Sequence, residues 1–406
     1  MTKGKTLIKL EYGGIQALYW AGYCACSAYA AVFLKHHGYS NSELGIIMAV
    51  GNIFGFIFSP VFAAYVDRVK KAGYFGCCLF LLGVELAFVL SFFFIAGKAL
   101  LITIGYSIYL GCVLCVNPLN TQFCFMLEEH YGHINYGAAR SFGSVAYAPT
   151  SLLMGALVEL VGAKVLLIAA TIIISLQIAL LLLFIVQSRR FPAPVYTTQL
   201  SQEKSSSLPR FFAENIRFCL LMFGTAFLFF SHSLVCSFMI NLVNNVNGDT
   251  SQMGAINALT ACAEMPAMIF YDRLSRRFKC SSILRFAAIM FIAKCLSFAF
   301  ATSVAGLYFS CLLQAVSFGL LTPACVNYVN LKIAHKDTTK GQSLSMAAVS
   351  LGFIFACSIG GMLYDKFSVF MVLIVGSSAA LVGAMICWLS TETTQLPHLH
   401  KNPGKA

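Results

Sequence analysis

Charge is what this sequence has least of. Asp, Glu, Lys and Arg make up 10% of its 406 residues, whereas 59% are hydrophobic. A soluble domain carries roughly a quarter charged residues, so the composition argues against one. Motifs of soluble chemistry are missing too. There is no G-x-x-x-x-G-K-[ST] loop, which argues against ATP as an energy source. No His/Cys/Asp cluster has metal-ligand spacing and there is no nucleophile elbow, so nothing points to an enzyme or a bound cofactor. A cleavable leader is also not evident. "MTKGKTLIKLEYGG" is basic, but the apolar segment after it carries Gln16, Tyr19 and Trp20 and lacks a clear cleavage site, so it reads as a first spanning helix.

Acidic residues are scarcer than basic ones, 15 against 27, for a formal charge of +12. Such a balance can mark nucleic-acid binding, but here the cations lie in alternate hydrophilic segments, as membrane orientation requires. Nucleic acid is therefore not an expected partner; the lipid bilayer is. Cysteine is plentiful, with 16, all but Cys280 inside apolar runs. Cys112 and Cys115 form a CxxC, but redox or zinc chemistry needs accessible sulfur. They read as small apolar residues.

Twelve apolar runs recur, and crossing a bilayer takes ~20 residues. They are Gly13–Leu34, Leu44–Val66, Tyr74–Ile95, Ala99–Leu127, Tyr136–Val161, Val165–Val186, Ile216–Val243, Gly254–Tyr271, Ile283–Thr302, Leu307–Ile333, Gln342–Tyr364 and Val369–Leu389. The longest hydrophilic interruption, "QSRRFPAPVYTTQLSQEKSSSLPRFFAEN", is rich in Ser, Pro and charge. It reads as a linker, 188–215, between halves 1–187 and 216–390, with 391–406 as a tail. With the N-terminus in the cytoplasm, only Lys35, Lys98, Lys164 and Lys366 fall outside and Lys294 lies mid-membrane; every other Lys and Arg is cytoplasmic. Both termini and the linker are then cytoplasmic.

The halves resemble each other. "YVDRVKK" follows the second run and "YDRLSRR" the eighth, while "YGAARSFG" opens the fifth and "KGQSLSMA" the eleventh. The offset from Asp67 to Asp272 matches that from Gly137 to Gly341 to within one residue. A near-constant offset indicates a duplicated six-helix unit. The expected fold is an all-α integral membrane protein with twelve transmembrane helices in two pseudo-symmetric six-helix halves. Parallel repeats with a substrate site near the midplane are a transporter architecture.

With those loops the chain resembles the major facilitator superfamily. The Asp67–Arg68 and Asp272–Arg273 pairs with trailing cations match its loop signature, although Ala63 stands where the usual glycine would be. "FLKHHGYSNSELGIIMAVGNIFGFIFSPVFAAYVDR", "YGAARSFGSVAY" and "KCLSFAFATS" resemble the oligosaccharide–proton symporters, the lactose-permease-like group. "EMPAMIFYDRLSRRF" and "GGMLYDKF" are similar to a broader clade that includes nucleoside and phenylpropionate permeases. The resemblance implies roles for several residues. Arg140 falls on the group's sugar-binding arginine, Tyr147 on its sugar-stacking tryptophan, and Lys294 on the ninth-helix arginine of its coupling network. Gln122 and Asn257 replace sugar-binding carboxylates, Gln314 a tenth-helix histidine, and Ser317 the proton-carrying carboxylate one turn later.

Polar residues inside apolar runs carry the physical signal, because ionisable groups in membrane helices mark partners or ion paths. Arg140, Ser144 and Tyr147 share one helix face. A guanidinium fork suits vicinal hydroxyls or a carboxylate, and the alternative is an interfacial arginine snorkelling to phosphate. Asn257, Thr260 and Glu264 share another face; Glu264 is a proton site or the partner of a structural ion pair with Lys294. Glu85 lies deep in "LLGVELAFVL" as a proton site or a structural hydrogen bonder. His232, with Cys236 on its face, is a proton relay or a neutral hydrogen-bonded side chain. Gln16, Trp20, Tyr23 and Ser27 line a face of the first helix, and Ser310, Gln314 and Ser317 one of the tenth. Asn117 and Asn120 flank Pro118, re-satisfying a broken backbone or lining a cavity.

The expected protein is a monomeric secondary transporter of the bacterial inner (plasma) membrane, driven by the proton gradient. It would import a small-molecule substrate, a polar solute such as a sugar or nucleoside, with protons by alternating access. Substrate contacts would come from Arg140, Tyr147, Ser144, Gln122, Asn257, Gln314 and Trp20. Coupling would use Glu264, Lys294, Glu85 and His232, and gating the loop pairs Asp67–Arg68 and Asp272–Arg273. A drug or organic-anion exporter of the same fold is the alternative, and a non-transporting membrane receptor is the alternative of another class.

Overall fold

A computed structural model describes residues 2–69, 71–131, 136–188 and 206–394. These residues are almost wholly helical. The reason is the solvent: hydrocarbon offers backbone N–H and C=O groups no partner, so each run must satisfy them internally. In chain order the α-helices are α1 (Thr2–Tyr23), α2 (Ala30–His36), α3 (Asn41–Val69), α4 (Lys71–Phe92), α5 (Leu100–Tyr131), α6 (Tyr136–Val161), α7 (Lys164–Ser188) and α8 (Leu208–Glu214). They continue with α9 (Ile216–Ser237), α10 (Met239–Asn245), α11 (Thr250–Arg277), α12 (Cys280–Ala299), α13 (Val304–Leu312), α14 (Phe318–Lys332), α15 (Thr338–Lys366) and α16 (Val369–Ser390).

Among the described residues, 10 helices are long and apolar enough to cross a membrane, or 11 if one bent pair counts as a single span. Three of the expected runs are not continuous helices. The first, Gly13–Leu34, passes through a π-helical stretch at Cys24–Ala28 and bends by 45° at Tyr29. The seventh, Ile216–Val243, breaks at Phe238 (φ −118, ψ 25), whose carbonyl accepts from Asn241 N–H at 2.8 Å. The tenth, Leu307–Ile333, is interrupted between α13 and α14. There Ser317 has φ −93 and ψ −89, its hydroxyl donates to the Leu313 carbonyl at 2.7 Å, and Gly319 N–H returns five residues to Gln314 O at 2.9 Å. Hydropathy does not register such breaks, because the residues around them keep the apolar character of the run.

The chain divides into two compact units. The first comprises Met1–Thr197, Gly248–Ala261 and Cys357–Asp365. In it α3 packs along α5, α1 along α6, and α4 against α5 and α7. Its interior holds Tyr12, Tyr29, Tyr74, Phe92 and Phe123, all fully buried. The second comprises Thr198–Asn247, Cys262–Ala356 and Lys366–Ala406. In it α16 lies against α9 and α12, and α12 against α14. Its core gathers Phe211, Phe218, Leu228, Phe291 and Tyr328.

Lipid tails give helices no hydrophobic reason to associate, so close backbone packing must hold them. Gly224 on α9 and Gly383 on α16 show it. A Cβ added to either would lie 2.9 or 2.7 Å from the other's carbonyl oxygen. Large apolar side chains such as Phe94, Leu160 and Leu389 stay exposed, as a lipid-facing surface requires.

Candidate functional site

The second unit buries the ammonium of Lys294. It lies in the interior of α12, 2% exposed. A lysine at the centre of a membrane helix costs roughly 2.5–3.5 kcal/mol, and here three neighbours offset that. Lys294 Nζ donates to His232 Nδ1 on α9 at 2.7 Å and to Gln314 Oε1 at 3.0 Å, and it lies 5.1 Å from the centre of the Phe291 ring. A charged ammonium can only donate, so while Lys294 is charged His232 must be a neutral ring with Nδ1 bare. That ring stacks on Phe318 at 5.1 Å, which sets its plane. Gln314 owes its position to the break between α13 and α14. Its Nε2 donates onward to Glu264 Oε2 on α11 at 3.3 Å. A cation and a carboxylate are thus joined by one amide, which gives its oxygen to the first and its N–H to the second. Beside them the Ser297 and Ser310 hydroxyls pair at 2.7 Å.

In the first unit the polar side chains follow two seams. Along α1 and α6, Trp20 covers Gly143 so closely that a Cβ there would overlap Trp20 Cδ1. Further along, Tyr147 and Ser151 reach the Cys24 thiol, and Tyr29 donates to the Ser151 carbonyl at 2.6 Å. Trp20 packs edge-on to Tyr19 at 5.3 Å and against Tyr23 at 5.2 Å. The second seam joins α1, α4 and α5. Gln16 donates to the Tyr12 hydroxyl at 2.7 Å, Tyr12 to the Asn120 carbonyl at 3.0 Å, and Tyr74 to Asn120 Oδ1 at 3.0 Å. Asn120, close to the helix-weakening Pro118, is therefore a structural hub. Thr121, which donates to the Asn117 carbonyl at 3.2 Å, braces the same turn. Glu85 on α4 is 3% exposed, and its Oε1 has no hydrogen-bond partner among the described residues.

A multi-helix bundle with a buried cation–amide–carboxylate run calls for comparison with membrane carriers. A sequence model of the MFS_1 like family matches residues 10–375. The chain belongs to this family of the major facilitator superfamily. The maltose permease of Geobacillus stearothermophilus is 25% identical over 357 residues, 86% of each chain. The uncharacterized transporter YwbF of Bacillus subtilis is 23% identical over 368 residues, 86% of this chain and 84% of its own. Among solved structures, the nucleoside transporter NupG superposes with a TM-score of 0.73 at 12% identity, covering 94% of this chain and 98% of that one. A bacterial homologue of the human lysosomal transporter Spinster superposes with a TM-score of 0.68, also at 12% identity, over 95% and 97% of the two chains. At such identity the superpositions show the fold alone. Family and fold together make this protein a multi-pass membrane transporter of a small solute rather than an enzyme, with bacterial relatives.

Other expected site residues of this facilitator are placed unit by unit. Trp20, Gln122, Ser144 and Tyr147 are half-buried in the first unit, as is Asn257 within its Gly248–Ala261 segment. Arg68 is exposed near the end of α3, and Asp272 and Arg273 are exposed near the end of α11, where Arg273 lies 5.4 Å from the Phe270 ring. The side chains of Asp67 and Arg140 lie outside the described residues, as do most of the linker and the tail beyond Thr394. Tyr12, Tyr74, Tyr109 and Gln177 were not singled out by sequence. Gln177 carried the clearest signal, a lone amide in "IIISLQIALLLL".

Proposed function

We propose that this protein is a proton-coupled symporter that imports a small polar solute, a sugar or nucleoside, by alternating access. The observation that carries this reading is the buried run His232–Lys294–Gln314–Glu264. Its chemistry suits coupling. While Glu264 is ionised it holds the Gln314 amide, and Gln314 holds Lys294. When Glu264 takes a proton that hold weakens, and both the amide and the ammonium can turn to a hydroxyl of the solute. Two relatives, a maltose permease and a nucleoside transporter, support the solute class. In this reading Arg140, Ser144, Tyr147, Gln122, Trp20, Asn257 and Gln314 contact the solute. The Asp67–Arg68 and Asp272–Arg273 pairs gate it, and the protein works as a monomer with both termini in the cytoplasm.

Reconstituted vesicles test the coupling. Glu264→Gln fixes the protonated state, so it should still exchange labelled solute across the membrane but fail to accumulate it against a gradient. Full concentrative uptake by that variant overturns the proton role of Glu264. A thermal-shift screen of sugars, nucleosides and aromatic acids identifies the solute, because a ligand stabilises the folded state by mass action.

A second reading, a drug exporter, is favoured by one observation. Multidrug resistance protein 2 of Bacillus subtilis is 27% identical over 168 residues, 41% of this chain. An imposed proton gradient separates the two: a symporter carries solute in the direction of proton flow, an exporter against it.

A further inference from the structure

The first unit contains a buried acid that the proposed coupling run does not use. Glu85 faces a small cavity among α1, α4, α5 and α7, also lined by Tyr19, Tyr23, Tyr109 and Gln177. The cavity has room for about one water molecule. Glu85 Oε1 has no hydrogen-bond partner among the described residues, and the residue is 3% exposed. Such a group costs free energy wherever it is not paired, far more so if it is charged.

Among the described residues, nothing nearby can pair with it as a charge. From α1 and the π-helical stretch that follows, the titratable groups facing it are the phenols of Tyr19 and Tyr23 and the thiol of Cys26. From α5 they are Tyr109, Cys112 and Cys115, and on its own helix Cys78. Gln177 is the polar group from α7, which carries formal charge only at Lys164, its first residue. Helix α3, which also packs on α4, has charge only near its ends, at Glu43, Asp67 and Arg68. Every titratable neighbour is a thiol or phenol, an acid whose ordinary form is neutral. The packing therefore accommodates a neutral carboxylic acid and no carboxylate.

Glu85 lines a space the size of a water molecule, and the packed helices around it give its Oε1 no hydrogen-bond partner among the described residues. The neighbouring backbone is also not regular α-helix. The π-helical stretch Cys24–Ala28 sits beside the cavity, with the Cys26 carbonyl accepting from Tyr106 at 2.6 Å, and the chain bends directly after it. π-Bulges within helices concentrate at functional sites.

We propose that this cavity is a proton-binding site of the first unit, separate from the Lys294–Glu264 run, with Glu85 as the acceptor. Binding places one proton on a Glu85 carboxylate oxygen and leaves a neutral acid. Release passes that proton to water in the cavity when a shift of the Cys24–Ala28 stretch opens it. The site needs no particular solute, so it stands apart from the sugar or nucleoside reading.

Infrared difference spectroscopy on the purified full chain in lipid nanodiscs tests this without any transport assay. The wild type should show a carbonyl band of a protonated carboxylic acid, shifted in D₂O, that is lost as the pH of the sample is raised. Glu85→Gln should lose that band entirely, and Glu264→Gln should keep it. Glu85→Asp, which retains an acid, should move the band; it serves equally if the glutamine variant does not fold. Spectra of the Glu85 variants that superimpose on wild type overturn the proposal. So does a Glu85 band that never titrates, which would make the residue a fixed acid. Loss of the band on adding sodium at constant pH also overturns it, because the ligand would then be an alkali cation.

Discussion

Glu85 in the first unit and Lys294 in the second are both buried in the interior of a spanning helix, and the two units resolve the cost differently. Lys294 in the second unit is paired: an imidazole nitrogen, an amide oxygen and a ring face surround its ammonium. Glu85 in the first unit faces phenols, thiols and an amide, and one of its oxygens bonds to no described residue. The contrast follows from what each group can become. A carboxylic acid sheds its charge by taking a proton and fits an apolar wall. An ammonium that stays charged needs acceptors, and the second unit supplies them by breaking a helix at Gln314. The hydroxyls of Ser310 and Ser317 bond carbonyls one turn back along the chain, those of Gly306 and Leu313.

The largest effect should come from the paired side. Lys294→Ala strands His232, Gln314 and Glu264 together and should destabilise the protein by about 3–5 kcal/mol, the usual loss when one member of a buried charged pair is removed. Thermal unfolding in lipid nanodiscs reads it; a change below about 1 kcal/mol, the net worth of one ordinary hydrogen bond, would mean that the ammonium is not held as the geometry shows. Gln314→Leu cuts the bridge but leaves both ends, and should cost about 2 kcal/mol. Combined with Lys294→Met, its effect should be non-additive by at least about 0.5 kcal/mol in a double-mutant cycle, and additivity would break the link.

Gly143→Ala probes packing without touching either ionisable group. The added methyl displaces Trp20 from the α1–α6 seam, for an expected loss of about 1–2 kcal/mol. Tryptophan fluorescence should shift with it, and an unchanged spectrum would show that the ring already moves freely. Glu85→Gln should have the smallest effect on stability, less than about 1 kcal/mol, because a neutral amide replaces a neutral acid of the same shape. A loss as large as that of Lys294→Ala would erase the contrast between the units and show that Glu85 is charged.

Membrane residence, the helical fold and the family were legible in the residues themselves. Runs such as Val165–Val186 can only be helices in hydrocarbon, and motifs such as "YVDRVKK" and "YDRLSRR" resemble the loop signature of the facilitator superfamily to which the chain belongs. Lys294, Glu264 and Glu85 were also legible as unusual, since a charge in an apolar run stands out whatever its surroundings. What they do with that charge was not. Direct pairing of Lys294 with Glu264 and bridging by Gln314 were equally compatible with the spacing along the chain. The interruption at Leu313–Ser317, which turns the Gln314 amide between them, leaves no mark in hydropathy. Likewise nothing in "LLGVELAFVL" says that Glu85 would meet tyrosines and cysteines from other helices. One-dimensional pattern reports the solvent each residue must live in, because that is a property of the residue and its neighbours in the chain. Partners across helices depend on helix rotation and on where the backbone breaks, and only the tertiary structure decides those.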